Sequence, residues 1–280
     1  MNREKIDFRV LVRGSNDVAS AVAHRLFGAG YGVVIHDDLK PTTTRRKMAF
    51  TDALYDGEAM LEGILAKKID SLSSLRISLI SHEYIPILTN DFYRLLEKLR
   101  PQVIVDARMR KHTKPSRQIH LAPLTIGLGP NFSAGVNVRV AIETLRGDDL
   151  GKLITQGATS RLTGEPVSIA GHARDRYVYA PSGGKFSTSH TIGDEVVLGQ
   201  EIANIDSTPL FAPIAGVIRG ITRDDIPVVL HTKVIEIDPR GENAQITGIG
   251  ERPARIAEGV LIALQRWEKD ADLITVSKAK

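Results

Sequence analysis

Residues 8–13, Phe-Arg-Val-Leu-Val-Arg, form a short β-branched run that stops at Gly14. From about Val18 to Ala29 the apolar spacing becomes helical, with Val18, Val22, Leu26 and Ala29 on one face. Asn16 or Asp17 supplies an N-cap, and Gly28 and Gly30 supply the stop. Gly32 to His36 then reads as a second buried strand, closed by Asp37-Asp38. Further along, Asn90 to Pro101 carries the pattern of a capped amphipathic helix ended by proline, and a strand over Gln102 to Ala107 follows at once. The apolar run Leu124 to Gly129 leads into Pro130-Asn131-Phe132-Ser133-Ala134-Gly135, and a helix is expected from about Asn137 to Arg146. Near the end, Ile256, Val260 and Leu264 share one stripe of a helix expected from Pro253 to about Trp267; the tail from Asp270 to Lys280 carries no pattern.

Strand, glycine turn, helix, strand and acid is the order of a dinucleotide-binding βαβ unit. The fold class expected is therefore α/β, with residues 1–150 a Rossmann-like parallel-sheet domain for a nucleotide or cofactor. The turn Gly14-Ser15-Asn16-Asp17-Val18-Ala19 keeps the first glycine and a small last residue, but Asn16 stands where a glycine would let backbone approach a pyrophosphate. In a parallel sheet, ligands sit outside the carboxyl ends of the strands. Three loops begin at such ends: 37–47 with Thr42-Thr43-Thr44-Arg45-Arg46, 106–114 with Arg108, and 127–135 with Gly127, Gly129, Asn131 and Gly135. Guanidinium groups, hydroxyls and free backbone N–H groups would meet on one edge, which is the composition of a phosphate cradle. The expected ligand contacts are Gly14, Ser15, Asn16, Asp17, Asp37, Thr43, Arg45, Arg46 and Arg108, together with the four loop residues. Arg45, Arg46 and Arg108 would pair with phosphates and Asp37 with ribose hydroxyls.

The second half repeats itself. Tyr177 to Asp206 lies without a gap over Pro209 to Asp238, with identical pairs that include Ala180/Ala212, Pro181/Pro213, Gly184/Gly216, Val196/Val228, Ile205/Ile237 and Asp206/Asp238. Each unit reads as short strand, Ala-Pro turn, strand, polar turn, strand. Two such units face to face make a pseudo-symmetric flattened barrel, a barrel-sandwich expected over 151–245 and followed by the C-terminal helix region at 246–280. The segment from Ile192 to Ala203 with Phe211 to Ile218 looks like a biotinyl/lipoyl carrier domain. The hairpin joining the halves, Asp206-Ser207-Thr208-Pro209, has no lysine, and Lys185 and Lys233 fall inside strands. A swinging arm is thereby excluded, which leaves docking or the closing of a site.

Composition narrows the chemistry. Hydrophobic residues are 42% and charged residues 25%, the balance of a folded chain. The absence of cysteine removes disulfides, thiolate metal sites, iron–sulfur ligation and a cysteine nucleophile. The eight histidines form no i, i+4 or H-x-H pair, so no metal site is expected. A net charge of +4 with only 5% aromatic residues gives no base-stacking surface, and nucleic acid is not an expected partner. No apolar run is long enough to span a bilayer, and Met1-Asn2-Arg3-Glu4-Lys5 has no secretory core, so a cytoplasmic location and no membrane association are expected.

With both halves in view, the chain resembles the accessory proteins of the selenium-dependent molybdenum hydroxylase system. The resemblance rests on Val12-Arg13-Gly14 with Asp17 and Ala19, Pro41-Thr42 with Arg45-Arg46, Tyr55-Asp56-Gly57-Glu58, and Val105-Asp106-Ala107-Arg108. It continues through Ile126-Gly127-Leu128-Gly129-Pro130 with Phe132, Ala134 and Gly135, Glu143-Thr144 with Arg146-Gly147, Asp149-Leu150-Gly151, and Ile237-Asp238-Pro239-Arg240-Gly241. Family members usually carry glycine where this chain has Ser15, Asn16 and Asn131. The resemblance implies an accessory factor for maturation of a molybdenum hydroxylase. It would bind a molybdopterin-type cofactor or a nucleotide such as NAD(P), with the hydroxylase apoprotein as partner. A homo-oligomer is one allowed state. Two other functions stay open: an NAD(P)-dependent oxidoreductase, for which no Tyr-x-x-x-Lys dyad or His–acid pair stands at an obvious catalytic spacing, and a non-catalytic scaffold or assembly protein.

Overall fold

The computed structural model describes residues 8–110, 113–162, 164 and 166–278, with side chains described through residue 270. Met1 to Lys5 and Ala279-Lys280 lie outside the described residues. In chain order the first half forms β1 (Arg9–Arg13), α1 (Asp17–Gly28), β2 (Gly32–His36), α2 (Ala53–Asp56), β3 (Glu58–Leu61), β4 (Ile64–Lys68), α3 (Leu75–Ser81), β5 (Ile85–Leu88), α4 (Phe92–Leu99), β6 (Val103–Asp106), β7 (Leu124–Leu128), β8 (Ser133–Ala134), β9 (Val140–Ile142), β10 (Leu153–Ile154) and β11 (Gly157–Ala158). Nine of these strands make one sheet in the order β10-β9-β7-β6-β1-β2-β5-β4-β3. Its interior is parallel, and only the outer pairs β3–β4 and β9–β10 are antiparallel.

The central strands β1, β2, β5, β6 and β7 are buried on both faces, as interior parallel strands must be. Val10 and Val12 of β1 face one layer, where α1 packs through Val18, Val22 and Leu26. Leu11 faces the other, against Leu75 and Leu79 of α3 and Leu95 and Leu99 of α4. The chain winds from β1 towards β5, then returns through β6 to β7 and β9. The switch point is between β1 and β6, whose carboxyl ends therefore open a crevice.

The helix expected over Asn137 to Arg146 is instead β9 and a set of turns. Val138, Val140 and Ile142 alternate at period two and are β-branched, so the segment suits a strand joining β7 more than a helix. With no helix there, that part of the sheet is covered from the other end of the chain. Helix α5 (Glu251–Lys278) packs Ile256, Val260, Leu261 and Leu264 into the same core as α1 and Ile142. Arg25 pairs with Glu258 at 2.8 Å, and the Tyr31 hydroxyl donates to Glu268 at 2.6 Å along this seam.

The duplicated segment forms β12 (Tyr177–Tyr179), β13 (Gly184–Ser187), β14 (Glu195–Val196), β15 (Glu201–Ile205), β16 (Thr208–Phe211), β17 (Gly216–Ile221), β18 (Ile226–Val228) and β19 (Lys233–Asp238). Two sheets result, β12-β19-β17-β14 and β16-β15-β13-β18. Strands β12, β13, β14 and β15 overlie β16, β17, β18 and β19 in the repeat, so each sheet is the image of the other and takes strands from both units. Phe186, Ile205, Ile218 and Ile237 meet in the core between them. The hairpin between β15 and β16 turns at Asp206-Ser207. No helix among the described residues is long and apolar enough to cross a membrane.

Helix α5 can approach the turn after β9 only because two glycines meet there. A Cβ on Gly259 would lie 2.1 Å from the Gly151 carbonyl oxygen, and one on Gly151 would lie 2.5 Å from that of Arg255. Alanine in an open helix is favoured over glycine by about 1 kcal/mol, yet here overpacking should win by about 1–3 kcal/mol. Gly259→Ala is therefore expected to lower stability in urea denaturation. A neutral or stabilised variant would contradict this docking of α5.

Candidate functional site

At the switch point the turn after β1 meets the end of β6. Gly14 has φ +105°, and a Cβ there would be 3.1 Å from Arg108 Cα, so both the dihedral and the close approach call for glycine. A cleft of about 740 Å³ opens from this point. One wall is the carboxyl edge of the sheet, with Gly14, Asn16, Asp17, Asp37, Thr43 and Arg108. The opposite wall is the barrel, with Arg176, Tyr177, Arg219, Lys233 and Arg240. Between them lie Glu143 to Arg146, Ser160 to Leu162 and the first turn of α5 with Arg252.

The edge expected to cradle a phosphate is largely occupied by the chain's own acceptors. Asn16 is the N-cap of α1: its Oδ1 accepts from the amides of Val18 and Ala19 at 3.0 and 3.1 Å, and its Nδ2 donates to the Ala107 carbonyl at 2.9 Å. The helix N-terminus that would hold an anion is thus satisfied internally. Ser15 is buried behind the turn, where its amide and hydroxyl both donate to Asp37 Oδ2 at 2.7 and 2.6 Å. Burial raises the pKa of Asp37 despite those bonds. Glu143 fills a third cradle, accepting from the amides of Thr144, Leu145 and Ser160 at 2.7, 2.8 and 2.7 Å. Burial opposes its charge, but these backbone amides hold its pKa below the usual value.

The Gly127–Gly135 loop does not reach the cleft except at Pro130. Gly127 makes room for the Phe132 ring, which a Cβ would meet at 2.2 Å. The Gly129 carbonyl accepts from the Thr159 hydroxyl at 2.8 Å, the Asn131 carbonyl from Asn137 Nδ2 at 3.1 Å, and the Gly135 amide donates to the Val138 carbonyl at 2.8 Å. These groups bind one another.

Arg45 and Arg46, read from sequence as phosphate contacts, hold the barrel. Arg45 forks onto Glu236 of β19 at 3.1 and 2.9 Å and reaches Asp17 at 3.0 Å. Arg46 turns away from the cleft, donating to the Ile221 carbonyl at 3.0 Å and to Asp52 at 2.9 Å. Lys47 donates to the Ile192 carbonyl at 2.7 Å, and the Ile221 amide returns a bond to the Thr44 carbonyl at 2.9 Å. Arg108 is clasped by its near neighbour Asp106 at 3.0 and 2.6 Å, and Asp106 also accepts from Gln118 at 2.6 Å. Lys111 and His112 of the same basic run lie outside the described residues.

Sequence reasoning missed the barrel wall. Glu236 is fully buried and accepts from Arg45, from Arg176 at 2.8 Å and from Lys233 at 3.0 Å. Asp238 carries Arg240 at 2.9 and 2.6 Å, in the same Asp-x-Arg clasp that Asp106 and Arg108 form on the facing wall. The repeat held a signal for these residues. At the matching positions of the first unit, Arg219, Lys233 and Glu236 are Ser187, Glu201 and Asn204, while Arg240 lies two residues past the end of the second unit. The duplication keeps its apolar core and changes its charge where the cleft lies. Over the whole lining, ten basic side chains face five acidic ones among the described residues.

Burial opposes the charge of Glu236, but Lys233 and Arg45 hold its pKa well below the usual carboxylate range. Its stabilising contribution is therefore complete above the unfolded value of about 4.3 and is lost as pH falls through the lower folded value. Breaking a buried pair costs about 3–5 kcal/mol. Glu236→Gln is expected to lose that much at pH 7 in denaturant titrations, with the gap to the parent protein narrowing below about pH 4. An equal gap at pH 7 and pH 3 would mean that the carboxylate charge is not what Arg45 and Arg176 require.

The chain is similar to the uncharacterized protein YqeB of Escherichia coli (strain K12), with 39% identity over 255 residues, or 91% of the chain. It spans about half the length, 47%, of that relative. No family model and no solved structure matches the chain.

Proposed function

We propose that the chain binds a phosphate-bearing small molecule in the cleft between sheet and barrel and serves as an accessory factor in the maturation of a molybdenum hydroxylase. The observation that carries the binding half is the charge of the cleft, whose whole lining, on the sheet edge, the barrel and α5, holds ten basic side chains against five acidic ones among the described residues. The maturation half is supported by the motif resemblance, in which Asp106-Ala107-Arg108, Glu143-Thr144, Arg146-Gly147 and Asp238-Pro239-Arg240 all belong to the cleft or to its supports. A molybdopterin-type cofactor or a nucleotide has the size and charge the cleft favours.

An oxidoreductase using NAD(P) draws less support. Its pyrophosphate would need the first-turn amides that Asn16 caps, and its ribose would need the Asp37 oxygen that Ser15 occupies.

Arg146 and Arg252 represent the cations between the two walls. Arg252 donates to the Thr144 carbonyl at 2.9 Å, and burial lowers its pKa. Native mass spectrometry of the purified protein, with calorimetry against pyrophosphate, ADP, CTP and NADPH, tests the reading. Binding of a phosphate-bearing ligand that weakens with rising salt is expected, with Arg252→Met reducing affinity at least about tenfold, the cost of one charge-assisted hydrogen bond. Silence towards every one of these ligands would overturn it and favour a non-catalytic assembly role.

A further inference from the structure

Arg219 lies on the barrel wall in β17 and is 9% exposed. Among the described residues no hydrogen bond reaches its guanidinium, and its Nε is buried without a partner. Its Nη1 stands 3.8 Å from Glu236 and 3.7 Å from Asp238, too far for a hydrogen bond. Both carboxylates are already engaged, Glu236 by Arg45, Arg176 and Lys233, and Asp238 by the fork of Arg240. A guanidinium carries five N–H donors in a plane that suits a phosphate, and buried donors without acceptors are costly to keep. Burial and the neighbouring Arg45 lower its pKa, as befits a cation whose charge is not fully compensated. On the facing wall the anion cradles are filled by Asn16 and Asp37, and between the walls by Glu143. The first unit of the repeat has Ser187 at this position, so the barrel fold itself does not require the charge.

We propose that Arg219, flanked by Arg240, is the phosphate subsite of the cleft, so that the barrel and not the βαβ turn holds the anionic end of the ligand. This rests on the anionic-ligand reading above. The turn side, with Asn16 and Asp17, then faces the uncharged remainder of the ligand. The two halves divide recognition between them.

Thermal melting and calorimetry on the full chain test this with pyrophosphate as the probe and citrate as a trianion without phosphorus. Pyrophosphate is expected to raise the melting temperature of the parent protein and citrate to do so less. Arg219→Met should weaken pyrophosphate at least about tenfold, while melting no lower than the parent without ligand, since methionine fills the space and removes the unmet donors. Arg219→Lys, which keeps the charge and loses the fork, should fall between the two. Pyrophosphate affinity within about twofold of the parent in Arg219→Met would overturn the assignment. So would a variant that melts far lower yet keeps the full pyrophosphate response, because that is the behaviour of a structural residue. Equal responses to citrate and pyrophosphate would remove the phosphate preference. A parent protein that ignores both probes would instead sink the anionic-ligand reading itself.

Discussion

Glu236 puts a carboxylate where no water reaches it, and a buried charge persists only when its partners are complete. Those partners come from separate stretches of chain. Arg176 enters from the start of the barrel, Lys233 from the same strand, and Arg45 from the loop after β2. Because Arg45 also holds Asp17, a single guanidinium joins the barrel to the first turn of α1. The ion pair of Arg223 with Asp56 across the same seam is more exposed and contributes less under solvent screening, while the Arg46 bond to the Ile221 carbonyl and the Ile221 amide bond to Thr44 act alongside Arg45. The relative placement of the two walls, and so the width of the cleft, depends on the buried carboxylate together with the bonds of Thr44, Arg46 and Lys47 to the barrel.

That constraint explains why the sheet edge looks like a phosphate site and is built otherwise. Asn16, Asp37 and Glu143 fill the backbone cradles with side-chain oxygens. Such internal bonds fix the turn after β1 and the segment after β9 without a ligand. Further cations of the lining stand apart from these cradles, on the barrel, on α5 and, as Arg146 and Arg161, in the segments after β9 and β11. The proposed recognition by the barrel rests on Arg219, the cation of that wall without a hydrogen bond among the described residues, while the βαβ unit supplies rigidity and the crevice.

Much of this was legible in the residues, and the limits have physical causes. The βαβ period, the cap at Asn16, the switch to a duplicated barrel and the lysine-free hairpin all follow from local spacing or from an internal alignment. The segment Asn137–Arg146 misled because its five apolar residues, Val138, Val140, Ala141, Ile142 and Leu145, satisfy a helix and a strand alike, and what decides is pairing with β7. The basic run Arg45-Arg46-Lys47 misled for a different reason. Their partners lie 191, 175 and 145 residues away, at Glu236, Ile221 and Ile192, so no local reading distinguishes a strap from a ligand contact. Helix α5, covering a face left bare by the chain more than a hundred residues earlier, is legible as amphipathic but not as to what it covers.

The duplication separates the residues that pack the barrel from those that face the cleft. Two copies of one unit need the same core, and Ile205 with Ile237 or Val196 with Val228 are kept identical because they pack against each other's images. The sheet of β12, β19, β17 and β14 lines the cleft, and symmetry in the sequence fails there: Ser187, Glu201 and Asn204 give way to Arg219, Lys233 and Glu236. Glu236 needs cations once it is buried, which accounts for Lys233. Asp238 needs one, which accounts for Arg240. Arg219 answers neither need, since both carboxylates are already bonded at shorter range. A charge that the first repeat unit lacks, placed where it forms no hydrogen bond among the described residues, is what the proposed anionic ligand would satisfy.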